Sequence, residues 1–250
     1  MKILFALLLA VGFGVSATHA TSEVLSVNAV GYIKADLTAG KLAMLQNTFL
    51  TMDGGDATPS KLFGDDLPVG TRVFVWDAQA EQPGYRIARY QESFGPPPNF
   101  TASTNWSEVG VLLNPGDGLW VDIPDDGVDS SFQIYFMGEV PASPNIELPI
   151  VEGLNLIGPA YPVDVVFSET SLGQAPSLDD AVFVWNNEEG GYTISRYQES
   201  FGPPPTFTAS TNWTRPELVI PANQGFWYQS NASRTWIIDR PWGDNFPKSE

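Results

Sequence analysis

RYQESFGPPPNFTASTNW, Arg89–Trp106, returns later in the chain as RYQESFGPPPTFTASTNW, Arg196–Trp213, with Thr206 in place of Asn99 as the sole change. Beyond this 18-residue stretch the likeness collapses. Between Ser107–Trp120 and Thr214–Trp227 only Gly118/Gly225 and Trp120/Trp227 are identical. The chain is a tandem duplication in which one segment has stayed fixed while the rest has diverged. Working outward, Val73-Phe74-Val75-Trp76 matches Val182-Phe183-Val184-Trp185, and Gly84-Tyr85 matches Gly191-Tyr192. Downstream, Gly118-Leu119-Trp120 matches Gly225-Phe226-Trp227. The start of each copy aligns weakly, Ala39–Met44 against Glu152–Ile157. The second copy is two residues shorter between its first tryptophan and the following Gly-Tyr. A repeat of about 107 residues marks duplicated domains rather than a solenoid.

The local pattern is strand. Short runs of Val, Ile, Phe, Tyr and Trp alternate with Gly, Pro, Asn and Asp clusters. The expected strands of the first copy are Ser26–Ile33, Lys41–Gln46, Arg72–Asp77, Tyr85–Ser93, Leu119–Ile123 and Phe132–Val140. Those of the second are Asn145–Pro149, Leu154–Gly158, Ala181–Asn186, Tyr192–Ser200, Phe226–Gln229 and Thr235–Asp239. With 21 prolines and 23 glycines spread along the chain, no long helix is expected. The fold class is all-β: two tandem homologous lobes, each a β-sandwich or small barrel, packed as one pseudo-two-fold body. The expected division is 1–20 signal peptide, 21–140 first β repeat and 141–250 second β repeat.

MKILFALLLAVGFGVSATHA has the charged start, apolar run and small-residue cleavage site of a secretory signal peptide. The run is short for a membrane span. The expected location is therefore secreted, periplasmic or cell-surface, with no membrane insertion. A formal net charge of −17 argues against nucleic acid and anionic membranes as partners, since both demand clustered Lys and Arg. The chain has no cysteine, and its one histidine, His19, lies in the signal peptide. That excludes Ser-His-Asp and Cys-His catalysis, His- or Cys-ligated zinc and ordinary haem ligation from the mature chain. The expectation is a non-enzymatic protein without cofactor or metal.

Read physically, Tyr85–Phe94 alternates. Tyr85, Ile87, Arg89, Gln91 and Ser93 share one face; Arg86, Ala88, Tyr90, Glu92 and Phe94 share the other. Pro96–Pro98 and Pro203–Pro205 then stiffen an extended excursion. A loop rich in hydroxyls, amides and aromatics follows. Aromatic faces stack on apolar sugar faces, and planar polar groups pair with hydroxyls. The candidate ligand-binding residues are therefore Arg89, Tyr90, Glu92, Phe94, Asn105 and Trp106, with Arg196, Tyr197, Glu199, Phe201, Asn212 and Trp213 in the second copy. Trp106 and Trp213, beside polar loop residues, are expected to be exposed; Trp76, Trp185, Trp120 and Trp227 are expected in the core. Two alternatives stay open. The segment can instead define the fold, its aromatics capping each core, Arg89 pairing with Glu92 or a neighbouring strand and Asn105/Asn212 satisfying a turn. Or it can form an interface between lobes or molecules.

Three weaker signals remain. Glu92 and Glu199 are equivalent carboxylates which, facing each other across a two-fold, would suit glycoside hydrolysis. Asp53-Gly54-Gly55-Asp56 and Asp125-Asp126-Gly127-Val128-Asp129 lack the spacing of a defined calcium loop and read as acidic turns. Asn99, Asn105, Asn212 and Asn231 begin glycosylation sequons.

The order Val-x-Val-Trp, Gly-Tyr, a polar loop ending in Trp, then Asn114-Pro115-Gly116-Asp117-Gly118-Leu119-Trp120-Val121 resembles a β-rich repeat of exported bacterial proteins. Gly153-Leu154-Asn155-Leu156-Ile157-Gly158-Pro159 is similar to that repeat's early strand, and Asn223-Gln224-Gly225-Phe226-Trp227 to its late one. The resemblance implies an exported bacterial β-domain protein of unknown function and carries over no catalytic residue. The functional expectation is a binding module that uses the two loops to take a glycan or a surface partner. Its alternative is a structural, self-associating protein, and a carboxylate-dependent glycosidase comes third.

Overall fold

The fold is described from a computed structural model covering residues 29–242 apart from 66, 96–97, 99–101, 108–109, 129, 203–204 and 206–207. The stretch expected to be a signal peptide and most of both proline loops lie outside the described residues.

In chain order the first half runs β1 (Val30–Thr38), β2 (Leu42–Gln46), the short helix α1 (Pro59–Phe63), β3 (Arg72–Asp77), β4 (Gly84–Phe94), β5 (Ala102–Trp106), β6 (Gly118–Asp122) and β7 (Ser131–Glu139). The second runs β8 (Asn145–Ile150), β9 (Gly153–Ile157), β10 (Val165–Val166), the single-turn helix α2 (Ser171–Gln174), β11 (Ala181–Asn186), β12 (Gly191–Phe201), β13 (Ala209–Trp213), β14 (Val219–Ile220), β15 (Phe226–Ser230) and β16 (Arg234–Asp239). The chain is all-β, and every strand pair is antiparallel. The first half forms a sheet of order β2-β6-β3-β4-β5 and a ribbon β1-β7. The second repeats both, as β9-β15-β11-β12-β13 and β8-β16, and adds the small pair β10-β14.

Period-2 alternation explains the layering. Val73, Val75, Leu119, Val121, Ala43 and Leu45 face a core shared with Ala35 and Leu37 of β1, Ile134 and Phe136 of β7, and Leu62 and Phe63 of α1. Their neighbours Phe74, Trp76, Trp120 and Met44 face the other way. The second half does the same. Val182, Val184, Phe226 and Tyr228 face its own core, while Phe183, Trp185, Trp227 and Leu156 turn outward. The two outward sets meet in one aromatic layer. The order is ribbon, sheet, sheet, ribbon.

Contacts across this layer exchange equivalent positions. Trp76 meets Trp227 edge-on at 5.4 Å, and Trp185 meets Trp120 edge-on at 5.2 Å. Trp76 Nε1 donates to the Leu154 carbonyl and Trp185 Nε1 to that of Leu42. Gly158 N donates to Gly116 O, and Gln46 N donates to Asn223 O. Such T-shaped pairs contribute about 0.5–1.5 kcal/mol each beyond their buried area. Gly118 and Gly225 sit where the sheets come closest. A Cβ on Gly225 would run into the Leu45 carbonyl oxygen, and one on Gly118 would lie 2.9 Å from Leu156 Cγ and 3.0 Å from Ile157 N. The two identities that survive beyond the repeated segment, Gly118/Gly225 and Trp120/Trp227, are thus contact positions of this layer.

The four tryptophans expected in the core do lie in one, the layer between the sheets, where Trp120 and Trp227 are buried and the half-buried Trp76 and Trp185 pack against them. Other expectations are corrected. The first strand is described over Val30–Thr38 and runs on past Ile33 because β7 pairs with it as far as Thr38; residues 26–28 of the expected strand lie outside the described residues. The weak alignment of copy starts slips by one residue. Met44 faces Trp120 in β6 as Leu156 faces Trp227 in β15, so Leu156 is the counterpart of Met44. A one-residue slip would turn each side chain to the wrong face. The stretches read as loops after the prolines contain strands β5 and β13.

Candidate functional site

The fixed segment is a hairpin that leaves the body of its sheet. β4 pairs with β3 only from Gly84 to Arg89, and with β5 only from Tyr90 to Phe94. Its outer part, with Gln91 opposite Asn105, Glu92 opposite Thr104, Ser93 opposite Ser103 and Phe94 opposite Ala102, therefore projects as a two-stranded ribbon. β12 and β13 repeat the register, from Tyr197 opposite Trp213 to Phe201 opposite Ala209.

The base of each hairpin is anchored in its own half. Trp106 and Trp213 retain only 8% and 7% exposure, which corrects the expectation that they lie open. Trp106 packs on Tyr90 at 5.4 Å and on Phe63 at 5.8 Å, and its Nε1 donates to Gly64 O at 2.9 Å. Trp213 packs on Tyr197 and edge-on against Phe167, and its Nε1 donates to Gly173 O at 2.7 Å. The Tyr90 hydroxyl donates to Asp65 O. Each indole thus caps a short helix whose sequence differs between the copies. Burial satisfies the indole N–H, so Trp106, Trp213 and Tyr90 hold the hairpin and offer no open stacking face.

The tips are different. Gln91, Glu92, Phe94 and Ala102–Asn105 are exposed, as are Gln198–Phe201 and Ala209–Asn212. Phe94 and Phe201 stand 66% and 67% exposed. Ser93 and Ser103 hydroxyls meet at 2.9 Å, as do those of Ser200 and Ser210. Asn105 Nδ2 donates to Ser93 Oγ across the strands, where a turn role was the open alternative. One ribbon face is then a ladder of Gln, Ser, Ser and Asn; the other carries Glu, Thr, Phe and Ala.

Arg89 and Arg196 do not share an environment. Arg196 lies over the Phe183 ring at 5.6 Å, with Ala181 opposite on β11. In the first copy Arg72 stands opposite Arg89, and it is Arg72 that lies over Phe74 at 5.5 Å and pairs with Asp122. Glu92 and Glu199 sit on hairpins at the outer edges of different sheets and enter no ion pair among the described residues. The structure does not bring them together as a carboxylate pair.

The acidic turns have internal partners. The Lys61 ammonium, helped by Gly55 N, holds the Asp53 carboxyl down to about 2. Asp125 and Asp126 accept from Gly127 and Val128 amides. Asp180, fully buried, accepts from Ser177 N, Asn231 N, the Tyr228 hydroxyl and Arg234, and so clamps the second half. Burial and Asp180 push the Tyr228 hydroxyl well above its ordinary value.

Two features escaped the sequence reading. A cleft of about 300 Å³ opens between the halves beside Trp76, Ala78, Asp117 and Leu156. Burial there pushes the Asp117 carboxyl up to about 6, against hydrogen bonds from Asn114 that lower it. The two-residue difference in loop length after Trp76 and Trp185 was the only signal pointing there. No helix among the described residues is long and apolar enough to cross a membrane. A scan of the chain against protein-family models finds no match, and searches of curated proteins and of solved structures find none either.

Proposed function

We propose that the protein is an exported, non-enzymatic binding module that presents two equivalent hairpin tips to a glycan. The observation that supports this is the division of labour inside the fixed segment. Tyr90 and Trp106 are anchored in the body of their half; Gln91, Glu92, Phe94, Ser103, Thr104 and Asn105 stand exposed on the projecting ribbon, Ser103 and Asn105 bonding across it to Ser93, and are nevertheless identical in the second copy. An exposed ring beside hydroxyls, amides and a carboxylate is what stacking on a pyranose face and pairing with its hydroxyls need. Two tips on one rigid body bind repeating ligands with avidity beyond that of either alone. A glycan array with the wild type and a Phe94→Ser/Phe201→Ser variant tests this. Binding by the wild type and its loss in the variant are expected. Absence of wild-type binding to every glycan, or equal binding by both proteins, removes the reading.

A second reading has its own support. Both strand edges of each projecting tip are unpaired among the described residues, and such edges template strand addition. In that reading the tips join copies into an assembly. Concentration-dependent sedimentation of the wild type, lost in the same variant, distinguishes assembly from glycan binding.

A further inference from the structure

β1 and β7 form a two-stranded ribbon, and β1 occupies one edge of β7. Ala39 N donates to Ser130 O and Val140 N to Ala29 O, so the even-numbered residues of β7 bond to β1. The odd-numbered residues point their N–H and C=O toward the opposite edge. Glu139 shows this directly, exchanging two backbone hydrogen bonds of 2.9 Å with Leu50 there. Leu50 thus begins a third strand, but the chain then turns away, with Gly54 N donating to Thr51 O. Met137, Tyr135 and Gln133 continue the edge, and among the described residues no strand or bridge pairs with them. All three line a cleft of about 530 Å³, into which the buried Leu62, Phe63, Leu67 and Ile134 bring apolar surface.

The second half caps the matching edge. Arg240 N donates to Pro144 O, so Ile237 of β16 points its carbonyl away from β8, and Ser171 Oγ donates to it. Ser171 lies two residues before Gly173, the acceptor of Trp213. The residue two before Gly64, the acceptor of Trp106, is Leu62. Leucine has no hydroxyl with which to cap a carbonyl.

We propose that this cleft takes up an extended basic peptide as an antiparallel strand on β7, with apolar side chains at every second position and Lys or Arg between them. A row of donors and acceptors two residues apart is complementary to a strand backbone. The antiparallel sense is that of Leu50 on the same edge. The side-chain pattern follows from the pleat. Peptide residues that bond to Gln133, Tyr135 and Met137 share their exposed face, where Tyr32 and Tyr135 lie 6.5 Å apart and Lys or Arg stems can pack on the rings. The residues between them point to the apolar side of the cleft. Charge selects the same sequence. The chain carries a formal net charge of −17, and the nearby lysines are paired, Lys61 with Asp53 and Lys34, opposite Tyr135, with Asp36. Such a field draws in a basic strand and repels an acidic one. The site is independent of the hairpin tips.

Hydrogen exchange of the full chain tests this with acetyl-Lys-Leu-Lys-Leu-Lys-Leu-Lys-amide. In the free protein the Gln133, Tyr135 and Met137 amides should exchange fast, while those of Phe132, Ile134 and Phe136, held by β1, are protected. Peptide at about ten times its dissociation constant should slow the three outward amides about tenfold. N-methylation of the peptide's lysines removes the donors that face β7 and abolishes the effect. N-methylation of its leucines alters the edge facing away and leaves the effect intact. Tyr135→Pro, at an edge position that gives no hydrogen bond to β1, abolishes the slowing at Gln133 and Met137. Protection of the three amides in the free protein, no slowing by the unmodified peptide, or slowing that survives in folded Tyr135→Pro overturns the proposal. Equal slowing by the two N-methylated peptides also overturns it, since that is plain attraction of a polycation to an acidic chain. Should Tyr135→Pro not fold, the two N-methylated peptides decide.

Discussion

Gly225→Ala is the sharpest probe of the aromatic layer. The added Cβ would fall inside contact distance of the Leu45 carbonyl oxygen and 3.2 Å from Gly118 Cα. Both obstacles are backbone, so no side chain can rotate aside. The sheets must part by about 1 Å, and a gap of that size forfeits roughly a quarter to a half of each dispersion contact it opens. Overpacking of this kind costs about 1–3 kcal/mol. The two T-shaped tryptophan pairs, contributing about 0.5–1.5 kcal/mol each, weaken at the same time. The expected loss is about 2–4 kcal/mol of unfolding free energy, measured by urea denaturation and accompanied by a reduced near-UV dichroism of the tryptophans. Gly191→Ala is the control. Nothing lies within 4 Å of its added Cβ, and its change should stay within about 0.5 kcal/mol. If Gly225→Ala also stays within about 1 kcal/mol of the wild type with unchanged near-UV dichroism, the close approach of the sheets described above is wrong.

Other changes follow from the same geometry. Trp106→Ala and Trp213→Ala should each cost about 3–5 kcal/mol in denaturant titrations, because each empties a core and strands the Gly64 or Gly173 carbonyl. Asp180→Ala removes the acceptor of Tyr228, Asn231 and Arg234 and should cost about 3–5 kcal/mol. Asp117 has its folded carboxyl raised from 3.8 to about 6, so the folded chain holds the extra proton between those values. Stability then falls as pH rises through that window, by up to about 3 kcal/mol, and stays lower above it. Asp117→Asn should flatten that slope and raise the midpoint of urea denaturation at pH 7.

How far the sequence could be read depended on where each residue's partner lies. β3 and β11 were read to the residue, since Val-Phe-Val-Trp is apolar on both faces and bounded by turn residues. The alternation did not say that one face meets the chain's own core and the other its copy. Ala-Ser-Thr-Asn has low strand propensity, so β5 and β13 passed as loop; cross-strand pairing with β4 and β12 and the anchored indole make them strands. Trp106 looked exposed because its neighbours are polar. Its actual partners, Phe63 and the Gly64 carbonyl, lie about 40 residues away, and of these only Gly64 is repeated in the second copy, as Gly173. The exposed tip residues were legible because identity between copies marked them. The cleft was not, because it arises from a difference between copies at Ala78 and Asn187.

The reciprocal tryptophan contacts have the form of an isologous interface, in which each residue meets the partner of its own equivalent. A single copy would present Met44, Phe74, Trp76 and Trp120 to water and could cover them only by joining a second molecule. The simplest ancestor is a homodimer of one repeat, and fusion into one chain made that dimer permanent at any dilution. In a homodimer a mutation alters both flanks together. After fusion Asn187 could reach Met44 on one flank while its equivalent Ala78 lines an open cleft on the other, so covalent linkage is what let the two flanks of a symmetric scaffold diverge.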